Sequence, residues 1–192
     1  MPHPTHMSAA DTGLLVIDVQ EKLMAKIPAA AAVIRNIAFL IDSARLLGMP
    51  VAATEQYPKG LGPTVPELAK RLPERPDKVA FSSCAVPSVI DGFRRAATSK
   101  IVVVGIEAHV CVLQTALDLL ALDFRVYLPA DAVASRYAID REFALRRLES
   151  VGAILTTSET AVFEWMGAAN VPAFKEISRL VQERMKALGP ES

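Results

Sequence analysis

In the stretch Ile101-Val102-Val103-Val104-Gly105-Ile106-Glu107-Ala108-His109-Val110-Cys111, an uninterrupted apolar run ends at a glycine and a helical pattern begins a few residues later. An apolar run without polar alternation marks a strand buried on both faces, as in a parallel sheet covered by helices. Cys111 therefore falls just past the carboxyl end of a buried strand and at the start of a helix, where unpaired N–H groups and the helix dipole favour a thiolate. A free cysteine is more commonly a small buried hydrophobe. Its place beyond a strand end is what makes it a candidate nucleophile.

Outward from this stretch the same alternation recurs. Leu14-Leu15-Val16-Ile17 is a second unbroken apolar run, and Ala30 to Leu47 carries Val33, Ile37, Leu40, Ile41 and Ala44 at helical spacing before stopping at Gly48. Pro50 to Thr54 and Lys78 to Phe81 read as strands on either side of a proline-punctuated connection, and long irregular connections are often functional. Helix Pro87 to Ala97, strand Ile101 to Val104, helix Val110 to Leu122, strand Phe124 to Leu128, helix Asp140 to Ser150 and strand Ala153 to Leu155 continue the series, with Ser158 to Met166 and Ala173 to Leu188 helical. Repeated βα units with apolar strands predict an α/β fold, a three-layer αβα sandwich with a central, mostly parallel Rossmann-like sheet of about six strands. Ligands in such sheets gather beyond the carboxyl ends of the strands, where strand order reverses.

A chain of 192 residues suits one core, so residues 12–192 are expected to form a single domain behind a flexible tail, residues 1–11. Apolar residues make up 52% of the chain, yet no run approaches the roughly 18 needed to span a bilayer, and no membrane partner is expected. Basic and acidic residues are equal at 21 each, which leaves no cationic excess for nucleic acid. Two cysteines without metal-type spacing, and an opening that does not resemble a signal peptide, suit a reducing, cytoplasmic setting.

Two further residues keep company with Cys111. Asp18 closes the first strand, where an acidic residue is either a local turn former or a catalytic group, and Lys78 heads a short apolar run after the proline-rich loop. His109 is the one histidine beyond the opening segment and lies two positions before Cys111, off the thiol's helical face. With a Cys-His dyad hard to assemble, a carboxylate has to accept the thiol proton, and Asp18 is the candidate.

These residues carry a resemblance. Leu15-Val16-Ile17-Asp18-Val19-Gln20, Lys78 followed by Phe81-Ser82, and Gly105 through Val112 continuing into Gln114-Thr115-Ala116 resemble the isochorismatase-like cysteine hydrolases over residues 12–160. Glu55 to Gly62 resembles the isochorismatase-domain subgroup without an assigned reaction. The resemblance implies an Asp18-Lys78-Cys111 triad, attack of the thiolate on a carbonyl, and a thioester that water hydrolyses. It also implies a cis peptide at Ile106–Glu107, with the amides of Glu107 and Cys111 as the oxyanion hole, and assembly into a homo-oligomer; the apolar segment with Phe163, Trp165 and Met166 is either an interface or ordinary core.

The region beyond the second strand contains no histidine, so the zinc site of the nicotinamidase branch is not expected, nor is any other metal or cofactor. Glu55 and Gln56 are pocket groups or solvated turn residues, Gln20 orients water or substrate or lies at the surface, and Phe81 forms an apolar wall or packs in the core. Cys84 reads as structural and Asp131 as a local hydrogen-bonding group. Gly60-Leu61-Gly62 precedes Pro63 without a Gly-Lys-Ser/Thr ending, which argues against a phosphate loop, and the absence of a glycine fingerprint argues against a flavodoxin-like or dinucleotide-binding protein. The expected function is metal-independent hydrolysis of a small amide or related carbonyl substrate; the alternative is a non-catalytic member of the same fold that binds a small molecule or protein.

Overall fold

The computed structural model describes residues 3–188. Elements β1 (Thr12–Ile17), α1 (Glu21–Met24), α2 (Ala30–Leu46), β2 (Val51–Gln56), α3 (Pro58–Leu61) and α4 (Pro66–Ala69) lead to β3 (Asp77–Lys78). After these come α5 (Pro87–Arg95), β4 (Lys100–Ile106), a π-helical turn (Ala108–Val112), α6 (Leu113–Ala121), β5 (Arg125–Pro129), β6 (Val133–Ala134), α7 (Ala138–Ser150), β7 (Ile154–Thr156), α8 (Ser158–Met166) and α9 (Phe174–Leu188). The fold is a three-layer α/β sandwich around one seven-stranded sheet of order β3-β2-β1-β4-β5-β7, with β6 paired to β4 and all strand ladders parallel.

The two-residue period of a strand sorts side chains between two cores. Leu14 and Val16 of β1 join Val102 and Val104 of β4 under α2, α8 and α9, where they meet Ile37, Leu40, Val162 and Ile177. Leu15 and Ile17 join Ile101 and Val103 under α5, α6 and α7, against Phe93, Leu119 and Leu148. Each fully buried Leu, Ile or Val contributes about 1.5 to 3 kcal/mol, and covering both faces explains why these strands show no polar alternation.

Two expectations need correction, and the count of about six strands is refined to seven. The third strand is only Asp77–Lys78: Val79 is 81% exposed and Phe81 51% exposed, and the carbonyls of Ala80 and Phe81 turn toward the Lys78 ammonium instead of a neighbouring strand. The sheet has seven strands because a two-residue segment, too short for a periodic signal, adds β6 beside β4. The segment expected as a flexible tail packs against the domain over residues 3–11. Met7 is fully buried, its N–H donates to Glu164, and Lys100 joins the His6 carbonyl and Asp11.

At the opposite end of the chain α9 is fastened by Arg184. Its guanidinium reaches Asn36 on α2 at 2.9 Å, Asp131 after β5 at 2.9 Å and Glu159 on α8 at 3.0 Å, and lies over the Phe39 ring. Asp131 also accepts from the Ser158 N–H and hydroxyl, holding the start of α8, which is the local role its position suggested.

Candidate active site

Strand order reverses between β1 and β4, and the chain leaves the carboxyl ends of these two strands at Asp18 and at Glu107. This is the switch-point crevice of an open α/β sheet. Gly105 lets the two strands approach there: it sits at φ +119°, and a Cβ on it would stand 2.1 Å from the carbonyl oxygen of Ile17. Asp18 itself has φ +52°, a left-handed conformation that few non-glycine residues adopt and that turns its carboxylate into the crevice.

The Asp18 carboxylate is fully buried and gripped at both oxygens. Lys78 Nζ donates to Oδ2 at 2.7 Å and the Thr54 hydroxyl donates to Oδ1 at 2.8 Å. Lys78 also donates to Gln56 Oε1 at 2.7 Å and to the Phe81 and Ala80 carbonyls at 2.9 and 3.3 Å, so four oxygens compete for its three protons. Cys111 lies in the π-helical turn between β4 and α6, nearly buried, and close enough to the Asp18 carboxylate for each group to perturb the other's ionisation. The Ile106–Glu107 peptide bond that precedes this turn is cis.

The electrostatics oppose a resting thiolate. Burial, then the negative charge of Asp18, push the Cys111 thiol up to about 12, with Lys78 pulling the other way. Burial also raises the Asp18 carboxyl above its ordinary value, outweighing Lys78, Cys111 and Thr54, which lower it. The expectation that a helix terminus would favour the thiolate is therefore overridden by desolvation and a like charge. Asp18 and Cys111 form a coupled pair in which ionising one group disfavours ionising the other.

The remaining candidates separate by strand parity. Gln56 lies on the side of Lys78, its Oε1 bound to the ammonium and its Nε2 to the Val79 carbonyl at 2.7 Å. Glu55 points away, accepting from the Thr64 N–H and hydroxyl and from Arg75, a structural clamp. Gln20 is fully buried and its amide ties the Gln56 backbone and the Gly62 carbonyl together. Both amide atoms of Gln20 and Oε1 of Glu55 have internal partners, so these two residues anchor loops. The Phe81 ring stays half-exposed beside the Lys78 loop and is free to serve as an apolar wall. His109 turns from the thiol toward Ser135, 3.0 Å away, and Asp140. Cys84 is partly buried, with its thiol pushed up to about 11 by burial.

Sequence reasoning missed three hydroxyl residues. Thr54 bridges Asp18 to Ser83 Oγ at 3.0 Å, the Ser83 N–H donates to Thr115 Oγ1 at 2.9 Å, and Thr115 donates to the Cys111 carbonyl at 2.6 Å. Only the strand register could have pointed to Thr54, which pairs with Ile17, the residue before Asp18. Among the described residues, no group of three or more His, Cys, Asp and Glu side chains is arranged to hold a metal ion.

A parallel α/β sheet brings an acid, an ammonium and a thiol together, buried, at its switch point. Residues 12–160 match the isochorismatase domain, and the chain belongs to that family, whose members are generally hydrolases. It is similar to isochorismatase domain-containing protein 2 of Xenopus laevis, 40% identical over 171 residues that cover 88% of this chain and 83% of the relative. It is also similar to the secreted isochorismatase effector Isc1 of Phytophthora sojae, 37% identical over 179 residues, 90% and 85% of the two chains. Among solved structures, the MAR1 ribonuclease of Caenorhabditis elegans superposes with a TM-score of 0.87 at 41% identity, covering 98% of this chain and 99% of that one. The YcaC gene product of Escherichia coli, an octameric hydrolase of unknown specificity, shares the fold with a TM-score of 0.81 at 21% identity, covering 98% and 100%.

Proposed function

We propose that this protein is a cysteine hydrolase that cleaves a small amide or related carbonyl compound without a metal. The observation that carries the reading is the Asp18 carboxylate shared between the Lys78 ammonium, 2.7 Å away, and the facing Cys111 thiol. With a substrate carbonyl beside Cys111, the thiol proton passes to Asp18 as sulfur bonds to the carbonyl carbon. The amides of Glu107 and Cys111 receive the oxyanion. Collapse expels the amine, which takes from Asp18 the proton that came from the thiol, and leaves a thioester on Cys111. Water then loses a proton to Asp18 and attacks the thioester, and the acid departs as the thiol is restored. Because burial and the Asp18 charge both disfavour a resting thiolate, proton transfer to Asp18 accompanies attack; Lys78 keeps the carboxylate oriented throughout.

Turnover of an amide panel by intact protein, with mass spectrometry for an acyl group on Cys111, tests this directly. Cys111→Ala should lose turnover and the adduct together; full turnover in that variant ends the nucleophile assignment. The MAR1 ribonuclease relative makes RNA the second substrate class to include. RNA cleavage that survives Cys111→Ala would replace the amide reading, whereas binding of small carbonyl compounds without turnover would favour a non-catalytic member of the fold.

The octameric YcaC relative supports a homo-oligomer for this chain, and sedimentation velocity reads its size. No described helix is long and apolar enough to cross a membrane. The reduced cysteines favour a cytoplasmic setting, although the Phytophthora relative is a secreted effector, and fractionation of the source cells decides between the two.

A further inference from the structure

We infer that Thr54 and Ser83 are positioning residues, a two-hydroxyl chain that ends on the Asp18 carboxylate and keeps the resting proton on the sulfur of Cys111. This rests on the hydrolase reading of the site and adds the device that sets where its proton waits.

The direction of the chain follows from counting protons. Thr54 has one hydroxyl hydrogen, and it is given to Asp18 Oδ1 at 2.8 Å. At the 3.0 Å contact between Thr54 and Ser83, Ser83 must then be the donor. Thr54, Ser83 and Asp18 are buried from water, so no solvent competes for these bonds. Ser83 is held from the nucleophile's side, because its N–H donates to Thr115, and Thr115 donates to the carbonyl of Cys111 one turn earlier. Base and nucleophile are thus connected twice, once across the crevice and once through Thr54, Ser83 and Thr115.

The charged and titratable groups around Asp18 are Lys78 from β3 and Cys111 from the π-helical turn, with Glu107 beside the thiol. Within the Asp18–Cys111 pair one proton is shared, and two arrangements compete: carboxylate with thiol, or carboxylic acid with thiolate. A hydroxyl donated to Oδ1 stabilises the carboxylate more than the neutral acid. It therefore shifts the pair toward the neutral thiol and restrains Cys111 until a substrate oxyanion changes the balance. The two hydroxyls tune the base, Thr54 directly and Ser83 through Thr54.

The sign of this effect makes it testable without a substrate. Iodoacetamide alkylation of Cys111 is followed across pH by peptide mass spectrometry, with Cys84 as an internal reference for local opening. Thr54→Val keeps the volume and the strand-compatible branching while deleting the donor. Cys111 should react on the order of tenfold faster near neutral pH, the equivalent of one hydrogen bond to a charged group, while Cys84 is unchanged. Thr54→Ser should restore the wild-type rate, and Ser83→Ala should fall between. An unchanged or slower rate in Thr54→Val, a rise shared by Cys84, or a Thr54→Ser profile displaced like that of Thr54→Val overturns the inference. If Thr54→Val does not fold, Ser83→Ala decides in its place, and a wild-type rate there overturns it. Asp18→Asn separates the two readings: if its profile matches wild type, the Asp18–Cys111 coupling fails and the hydrolase reading with it. If it moves while Thr54→Val does not, only the hydroxyl chain fails.

Discussion

Replacing Lys78 with methionine should leave a fully buried carboxylate without its cation, and the size of the penalty can be worked out from the contacts. Lys78 is 5% exposed and supplies the shortest bond to Asp18, 2.7 Å, leaving the Thr54 hydroxyl and the Cys111 thiol as the remaining partners. Breaking one side of a buried ion pair typically costs about 3 to 5 kcal/mol, which for a chain of this size lowers the melting temperature by roughly 6 to 20 °C. The sign of the pH dependence follows from Asp18, whose carboxyl is already raised above 3.8 in the fold by burial while Lys78 pulls it down. Without Lys78 it rises further, so the folded state holds a proton more tightly than the unfolded chain does. Stability then falls as pH climbs from the unfolded value through the raised folded one, and the full penalty is present above both. Thermal unfolding followed by circular dichroism should therefore show a large deficit at neutral pH that shrinks toward about pH 4. The double variant Lys78→Met with Asp18→Asn, which removes the stranded charge, should recover most of the loss at neutral pH. A deficit of equal size at both pH values that persists in the double variant would refute the charge argument and assign Lys78 to anchoring Gln56 and the Phe81 loop.

Other perturbations follow from the same contacts. Asp18→Asn should bring the Cys111 thiol down from about 12, because the charge that opposes its ionisation is gone, while turnover of any amide substrate collapses for want of a base; alkylation and turnover measured on one preparation check both. Gly105→Ala should prevent folding or cost several kcal/mol, since its Cβ would stand 2.1 Å from Ile17 O; native-like melting would contradict that close approach. Burial opposes ionisation of Glu55, but the bonds from Thr64 and Arg75 outweigh it and lower its pKa. Its contribution is thus present above the unfolded value and lost as pH falls through the folded one. Glu55→Gln should cost about 1 to 3 kcal/mol at neutral pH, visible in urea unfolding, and little in acid.

What the sequence disclosed depended on whether a feature repeats. The strands Leu14 to Ile17 and Ile101 to Val104 were legible because burial on both faces demands an unbroken apolar run, and α2 because its apolar residues recur at helical spacing. Val79-Ala80-Phe81 looked the same on paper as a strand, yet the carbonyls of Ala80 and Phe81 serve Lys78, and the Val79 and Phe81 side chains face outward. Asp18, Lys78 and Cys111 stood out by residue type at strand ends. Gln20 and Glu55 stood out equally well, and only three-dimensional partners distinguish an amide that ties loops from one that meets a ligand. Thr54 and Ser83 carry no signature at all, and Thr115 stood only as part of a motif with no role of its own, since a lone hydroxyl acquires meaning from what lies within 3 Å of it. Met7 was hidden by its polar neighbours.

The clasp made by Arg184 bears on where this protein can be cut. The isochorismatase match ends at residue 160, and a fragment designed to that boundary would discard all of α9. It would also discard the one guanidinium that joins Asn36, Asp131 and Glu159, and would uncover the apolar surface that Ile177 closes. Asn36 and Asp131 hold the loop after β5 in place, and the Asp131 carboxylate would lose its cation. A fragment ending at residue 160 should therefore melt at a lower temperature than the full chain, a difference that thermal unfolding of the two reads directly.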